Sequence, residues 1–161
     1  MSSVLVMKVA SAATELNKFI ARFSPEIAAQ AKATLGKMRD RLPGAVEMVY
    51  DNYNALVVGF CPVERASEVI MSIAIYPRWI NLCFFAGDRL PDPQKLLRGN
   101  GKIVRTIRLE DAKTLDEPAV KALMKAALEN ASRPLDRKQS GRIVIASVSA
   151  KRRPRRVGAR D

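Results

Sequence analysis

The residues with most capacity for chemistry are few. Glu47 sits among apolar neighbours in the run Ala45 to Tyr50. If its side chain faces inward it needs a cation, and Arg105 or Arg108 is the natural candidate. Gly99-Asn100-Gly101-Lys102 can cradle an anion, because successive N–H groups in a glycine turn form a nest and lysine adds charge. The competing reading is a helix stop at Gly99 followed by a turn into a strand. The loop lacks the spacing of a P-loop. Tyr50, Tyr53, Tyr76 and Trp79 fall at strand ends and turns, where they can rim a pocket with Glu47 and Arg105 as polar anchors, or equally cap the end of a core. The candidate ligand-binding set is therefore Glu47, Tyr50, Tyr53, Tyr76, Trp79, Gly99, Gly101, Lys102 and Arg105. Its ligand is an unidentified small molecule or anion, and neither a cofactor nor a metal is expected.

What is missing narrows the classes further. The chain has no histidine, which removes Ser-His-Asp and Cys-His nucleophiles, imidazole bases and histidine metal sites. Acid–base work would fall to Glu47, tyrosine or lysine, and no constellation of these can be located. Two cysteines, Cys61 and Cys83, make neither a CxxC motif nor a disulfide framework, so a reducing, cytoplasmic setting is the default. Cys83 lies in the apolar run Trp79 to Phe85 and reads as a buried, inert thiol. No segment approaches the ~18 apolar residues of a membrane span, and no secretory h-region is seen, so no membrane partner is expected.

Charge supplies a second candidate. The chain carries 28 Lys and Arg against 16 Asp and Glu, a net of +12. Residues 132–161 hold ten basic residues and two acids. Lys151, Arg152, Arg153, Arg155 and Arg156 flank a helix-breaking Pro154 and could bind nucleic acid or another polyanion through phosphate contacts. The tail has no aromatic residue, so it offers no base stacking. The basic run after Ala150 is expected to project into solvent. A ligand site predicts a concavity near Tyr50, Tyr76, Trp79 and Lys102. A nucleic-acid site predicts one positive face joining the tail to Lys102, Arg105 and Arg108.

The elements that must position these residues follow from periodicity. Thr14 can cap a helix with Leu16, Phe19, Ile20 and Phe23 on one face. Ser24-Pro25-Glu26 opens a second, with Ile27, Ala31, Leu35 and Met38 on its stripe, and Pro43-Gly44 ends it. Ala45–Tyr50, Asn54–Phe60, Glu68–Ile75 and Trp79–Phe85 read as strands in a meander, and Lys102–Leu109 as a fifth. Asp92-Pro93 starts a one- to two-turn helix reaching Gly99. The last long helix starts near Asp116-Glu117-Pro118 and carries Val120, Leu123, Met124, Ala127 and Leu128. Arg142–Ser149 alternates and is read as an extra strand on a sheet edge. The expected fold is α+β in two layers, a mostly antiparallel sheet of about five strands with helices on one face. Residues 1–131 form that domain and 132–161 a basic tail with an extra strand at 142–149.

One joint pattern goes beyond periodicity. Tyr76-Pro77, Trp79, Phe84-Phe85, Gly87, Leu90-Pro91-Asp92-Pro93, Leu96-Leu97, Gly99-Asn100-Gly101-Lys102 and Val104-Arg105, with Tyr50-Asp51-Asn52-Tyr53-Asn54 upstream, resembles the YdhG-like family over residues 12–131. The resemblance implies a small cytoplasmic sheet backed by helices, of unsettled function. Some members are similar in fold to frataxin, and iron chaperoning is one proposed role. An iron site wants clustered carboxylates or imidazoles. Residues 12–42 instead hold three acids against six bases, and Glu110-Asp111 and Asp116-Glu117 read as helix caps. Metal binding is therefore expected to be weak and non-specific. The favoured function is a non-enzymatic small-ligand-binding or carrier module. The alternative is a basic protein binding nucleic acid or another polyanion through its tail, with an iron chaperone a weaker third.

Overall fold

The computed structural model describes residues 2–158, with side chains from residue 11 onward. Helices α1 (Ser2–Ala21) and α2 (Pro25–Arg41) lead into strands β1 (Val46–Asp51), β2 (Leu56–Cys61), β3 (Met71–Ile75), β4 (Ile80–Phe84) and β5 (Arg105–Leu109), then helix α3 (Pro118–Asn130) and strand β6 (Arg142–Val148). The fold is α+β with one six-stranded sheet in the order β5-β4-β3-β2-β1-β6. Strands β1 to β5 form the antiparallel meander, and β6 lies parallel to β1 at the far edge. Among the described residues there are thus six strands rather than five, the sixth being the alternating run of the tail.

Period-two alternation divides the sheet. Val49, Leu56, Val58, Met71, Ile73, Ile80, Leu82 and Ile107 face the helices. Each helix adds the stripe its sequence spacing presents: Leu16, Phe19, Ile20 and Phe23 from α1, Ile27, Ala31, Leu35 and Met38 from α2, and Val120, Leu123, Met124 and Ala127 from α3. Each fully buried aliphatic side chain contributes ~1.5–3 kcal/mol before ordering entropy is subtracted. A smaller cluster of Val46, Met48 and Cys61, with Tyr50, Val69 and Val144 against it, lies on the opposite face, and among the described residues no α-helix joins it. No described helix is long and apolar enough to cross a membrane.

Local chemistry explains the boundaries. Ser24 accepts a hydrogen bond from the Ile27 amide and Pro25 opens α2, as its sequence requires. Thr14 is not a cap, because α1 continues upstream to Ser2. The helix expected after Asp92 does not form. The Asp92 carboxylate accepts the amides of Leu96 and Leu97 at 2.8 and 2.9 Å, and Lys95 takes a left-handed φ of 54°. A short acid that captures nearby amides competes directly with helical pairing. Residues 112–116 form a 3-10 turn before α3, with Asp111 accepting from the Thr114 amide. Between α3 and β6 the chain passes against Gly44, whose φ is 85°. A Cβ there would lie 2.2 Å from the Asp136 carbonyl oxygen. Gln139 Nε2 then donates to the carbonyls of Gly44 and Pro62, which fixes the approach of β6 to β1.

Candidate functional site

Glu47 faces the helices from the middle of β1, opposite Phe60 of β2 and Ile143 of β6. It is only 6% exposed. Its partner is Arg39 of α2, whose Nε and Nη2 donate to the two carboxylate oxygens at 2.8 and 2.9 Å. Such a forked pair is the strong form of a charge-assisted contact. The hydrogen bond to Glu47 raises the pKa of the Arg39 guanidinium, against the opposing effect of burial. The expected partners, Arg105 and Arg108, are on β5, with β4, β3 and β2 between them and β1. At ~4.8 Å per strand that is roughly 19 Å, too far for contact, and alternation turns Arg108 to the other face.

The pair borders a cavity of about 460 Å³ lined also by Ala13, Leu42, Phe60, Arg142 and Ile143. Arg142 reaches outward to Glu64 at 3.2 Å. The cavity therefore offers apolar walls and two guanidinium groups, Arg39 paired with the buried Glu47 and Arg142 with the exposed Glu64. A second cavity of about 420 Å³ lies at the end of α3, between Phe84, Leu90, Ile103 and Ala127. It contains no buried charged side chain, so it has less to fix a ligand's orientation.

The other residues of the sequence-derived set do not converge on Glu47. Tyr50 faces away from it on the same strand, beside Met48 and Val144. Tyr53 is in the β1–β2 turn. Tyr76 and Trp79 stack at 5.1 Å in the β3–β4 turn. Gly99, Gly101 and Lys102 belong to an exposed loop outside β5. Arg105 closes that loop, its Nη1 donating to the carbonyls of Gly101 and Val104, so it anchors nothing beside Glu47. Arg98 pairs with Thr106, so Gly99 ends an added bridge rather than a helix. The expected concavity at Tyr50, Tyr76, Trp79 and Lys102 is replaced by the one at Arg39 and Glu47. Among the described residues no three His, Cys, Asp or Glu side chains could hold a metal ion.

The basic run does not project freely into solvent. Asp51, 1% exposed, accepts from Arg155 at 2.8 Å, from Arg152, and from Arg22 at 3.4 Å. Arg155 also donates to the carbonyls of Asn52 and Tyr53 and lies 5.7 Å from the Phe23 ring centroid. Arg153 sits over Tyr53 at 5.5 Å and its amide donates to the Tyr53 carbonyl. Arg156 donates to the carbonyls of Ala21 and Arg22, closing the end of α1 as a C-terminal cation does. Lys151 is exposed. The attraction of a buried carboxylate explains why the charges fold back. The sequence reading ended the first strand at Tyr50 and left Asp51 outside it, although the same alternation that turns Glu47 inward also turns Asp51. The tail thus lies at the β1–β6 edge while Lys102, Arg105 and Arg108 are at the β5 edge, and they form no single face.

Burial pushes the Cys61 thiol up to about 11, with Glu68 adding to the effect. Burial raises the Cys83 thiol too, opposed by a hydrogen bond with Ser72. Since the thiolate is the nucleophile, both should resist iodoacetamide at pH 8 in the folded protein and react fully in denaturant. Mass spectrometry of the alkylated protein checks this, and rapid native labelling of Cys61 would contradict it.

Compared with known proteins, the chain matches no family model, no curated protein and no solved structure.

Proposed function

We propose that this chain is a non-enzymatic binding module for a small organic anion, held in the cavity at the Arg39–Glu47 pair. The observation that carries the reading is the buried, doubly hydrogen-bonded Glu47 on the wall of a cavity of about 460 Å³. Ligand cavities typically enclose ~300–1,000 Å³ with apolar walls and a few fixed polar groups. Arg142 pairs with Glu64 only at the surface, where both side chains are about half exposed; such a pair is weak, so its guanidinium is free to turn to a negative group on the ligand. Leu42, Phe60 and Ile143 suit an apolar body. The resemblance to the YdhG-like family and a cytoplasmic location belong to the same proposal. The tail reading ranks second, because Arg152 and Arg155 already share Asp51.

Isothermal titration with benzoate, set against neutral benzamide, tests the proposal. Benzoate is expected to bind saturably and benzamide not. Arg39→Gln should weaken benzoate about tenfold or more, since a hydrogen bond to a charged group is worth ~1.5–3 kcal/mol. Ala13→Trp, which fills the cavity from α1, should abolish binding. Equal affinity for both compounds, or affinity unchanged in both variants, would overturn the reading.

A further inference from the structure

The helix-free face of the sheet has a composition that the cavity does not explain. Its rows run across the strands as Tyr50, Val57, Ala74, Asn81 and Arg108, and as Met48, Gly59, Ser72, Cys83 and Thr106. Neither row contains a carboxylate. Alternation carries Tyr76 and Trp79 to the same face, just beyond the first row. Arg108 confirms this placement, its guanidinium lying 4.5 Å from the Trp79 ring centroid.

The aromatic residues are sorted by chemistry. Four of the five phenylalanines, Phe19, Phe23, Phe60 and Phe84, are buried in the main core, and Phe85 is half-buried at the opposite end of the sheet from the tyrosines. All three tyrosines and the sole tryptophan lie outside it, at the end of the sheet that carries the β1–β2 and β3–β4 turns. Tyr50, Tyr76 and Trp79 are each partly exposed. A core needing only a cap at this end would be served by phenylalanine or leucine. Between the rings lie only Val57 and Ala74, which keeps the surface low there; Val69 packs over Gly59 in the second row. Cations accompany the rings. Arg108 and Arg78 are exposed, and among the described residues neither has a salt bridge, so their charge is available to a phosphate. Four strand spacings separate Tyr50 from Arg108, roughly 19 Å of surface.

We propose that this face binds single-stranded nucleic acid, with Tyr50 and the Tyr76–Trp79 pair as base platforms once Arg108, which rests on the Trp79 ring, turns to join Arg78 on the phosphates. Partly exposed rings accept any base by its π-face, and arginine adds backbone contacts. A duplex keeps its bases stacked inside and cannot use the rings. An acidic peptide can satisfy the arginines but offers nothing planar to stack. The tail by itself lacked an aromatic partner. On this face the body of the protein supplies the rings, and the site does not require Lys151 to Arg156.

The single tryptophan makes the test direct. Oligo(dT) and oligo(U) of 12 nucleotides, added at low salt, are expected to quench Trp79 fluorescence saturably. Poly-glutamate of similar charge should bind without that quench, and duplex DNA should bind at least tenfold more weakly than oligo(dT). In anisotropy with fluorescein-labelled oligo(dT), Tyr50→Ala and Arg108→Gln should each lose about fivefold or more. Trp79→Phe should retain most of the affinity, which separates stacking from a failure to fold. Ala13→Trp, which blocks the cavity, should leave oligonucleotide binding unchanged, so the two proposals fail separately. Quenching by poly-glutamate equal to that by oligo(dT), equal affinity for duplex, or affinity unchanged in both Tyr50→Ala and Arg108→Gln would overturn the proposal.

Discussion

A chain ending at Ser132 is expected to melt about 6–24 °C below the full chain and to self-associate. Two losses add. The first is β6, which pairs with β1 along its whole length and packs Ile143 and Ile145 against the main core. Both are half-buried, so each contributes less than the ~1.5–3 kcal/mol of a fully buried aliphatic side chain. Part of that is offset by the entropy of ordering the strand. The second loss is electrostatic. Asp51 loses Arg152, Arg155 and the cover of β6 and keeps only Arg22, at 3.4 Å and with its side chain 46% exposed. Breaking a buried pair from one side costs ~3–5 kcal/mol, and water reaching the uncovered acid offsets part of that. Together the losses come to ~3–6 kcal/mol, and a domain of this length shifts by ~2–4 °C per kcal/mol. Truncation also exposes β1 as a new edge of unpaired amides and carbonyls, a template for a second chain. Calorimetry measures the melting temperature, and sedimentation velocity the association. A truncated chain that melts within 2–3 °C of the full one and stays monomeric would mean that β6 and the arginine contacts contribute little in solution.

The helices and the meander were legible because each has one apolar stripe, and a stripe has only one way to face a core. Leu16, Phe19, Ile20 and Phe23 meet the sheet as their spacing requires. The start of α1 was not legible, because a threonine inside a helix looks the same in sequence as a threonine capping one. The segment after Asp92 misled for a related reason. Asp-Pro opens helices, but the same carboxylate can take two amides in a turn, and nothing beyond Leu97 supplied an apolar stripe to decide between them. For β6, alternation predicted a strand but not its edge or direction. Those depend on where Gly44 and Gln139 let the chain cross.

The site was half legible. The apolar neighbours of Glu47 marked it as a carboxylate that would need a cation if it faced inward. Choosing that cation required knowing which helix lies over β1, and Arg39 is only eight residues away in sequence. The aromatic set was correctly read as lying at strand ends. It failed as a pocket because a strand sends successive side chains to opposite faces, so Glu47 and Tyr50 cannot line one cavity. Asp51 was overlooked although it obeys the parity of Glu47. The first strand was read as ending at Tyr50, one residue short of Asp51, which β1 includes.

Asp51→Ala is the single substitution expected to cost most. The carboxylate is buried and gathers Arg152, Arg155 and Arg22, and Arg155 itself is only 5% exposed. Removing the acid leaves a guanidinium inside the protein without a counter-charge, and breaking a buried pair from one side costs ~3–5 kcal/mol. The carbonyls of Asn52 and Tyr53 still accept from Arg155, which places the effect near the lower figure. Arg155→Met should cost less than Asp51→Ala, because Arg152 and Arg22 still neutralise the acid. Asp51→Leu combined with Arg155→Met should recover much of the loss, since an apolar pair needs no counter-charge. The order of the three variants separates a charge effect from a packing effect: lost packing alone would make the double variant the least stable. Amide exchange provides a second readout. In Asp51→Ala the amides of Ser149 and Arg153, which donate to the Asp51 and Tyr53 carbonyls, should exchange much faster, while those of β3 and β4 change only with global stability. Urea titration of all three variants and exchange at these two amides test the argument. A double variant no more stable than Asp51→Ala would mean that the arginines are held by shape and backbone carbonyls rather than by the acid.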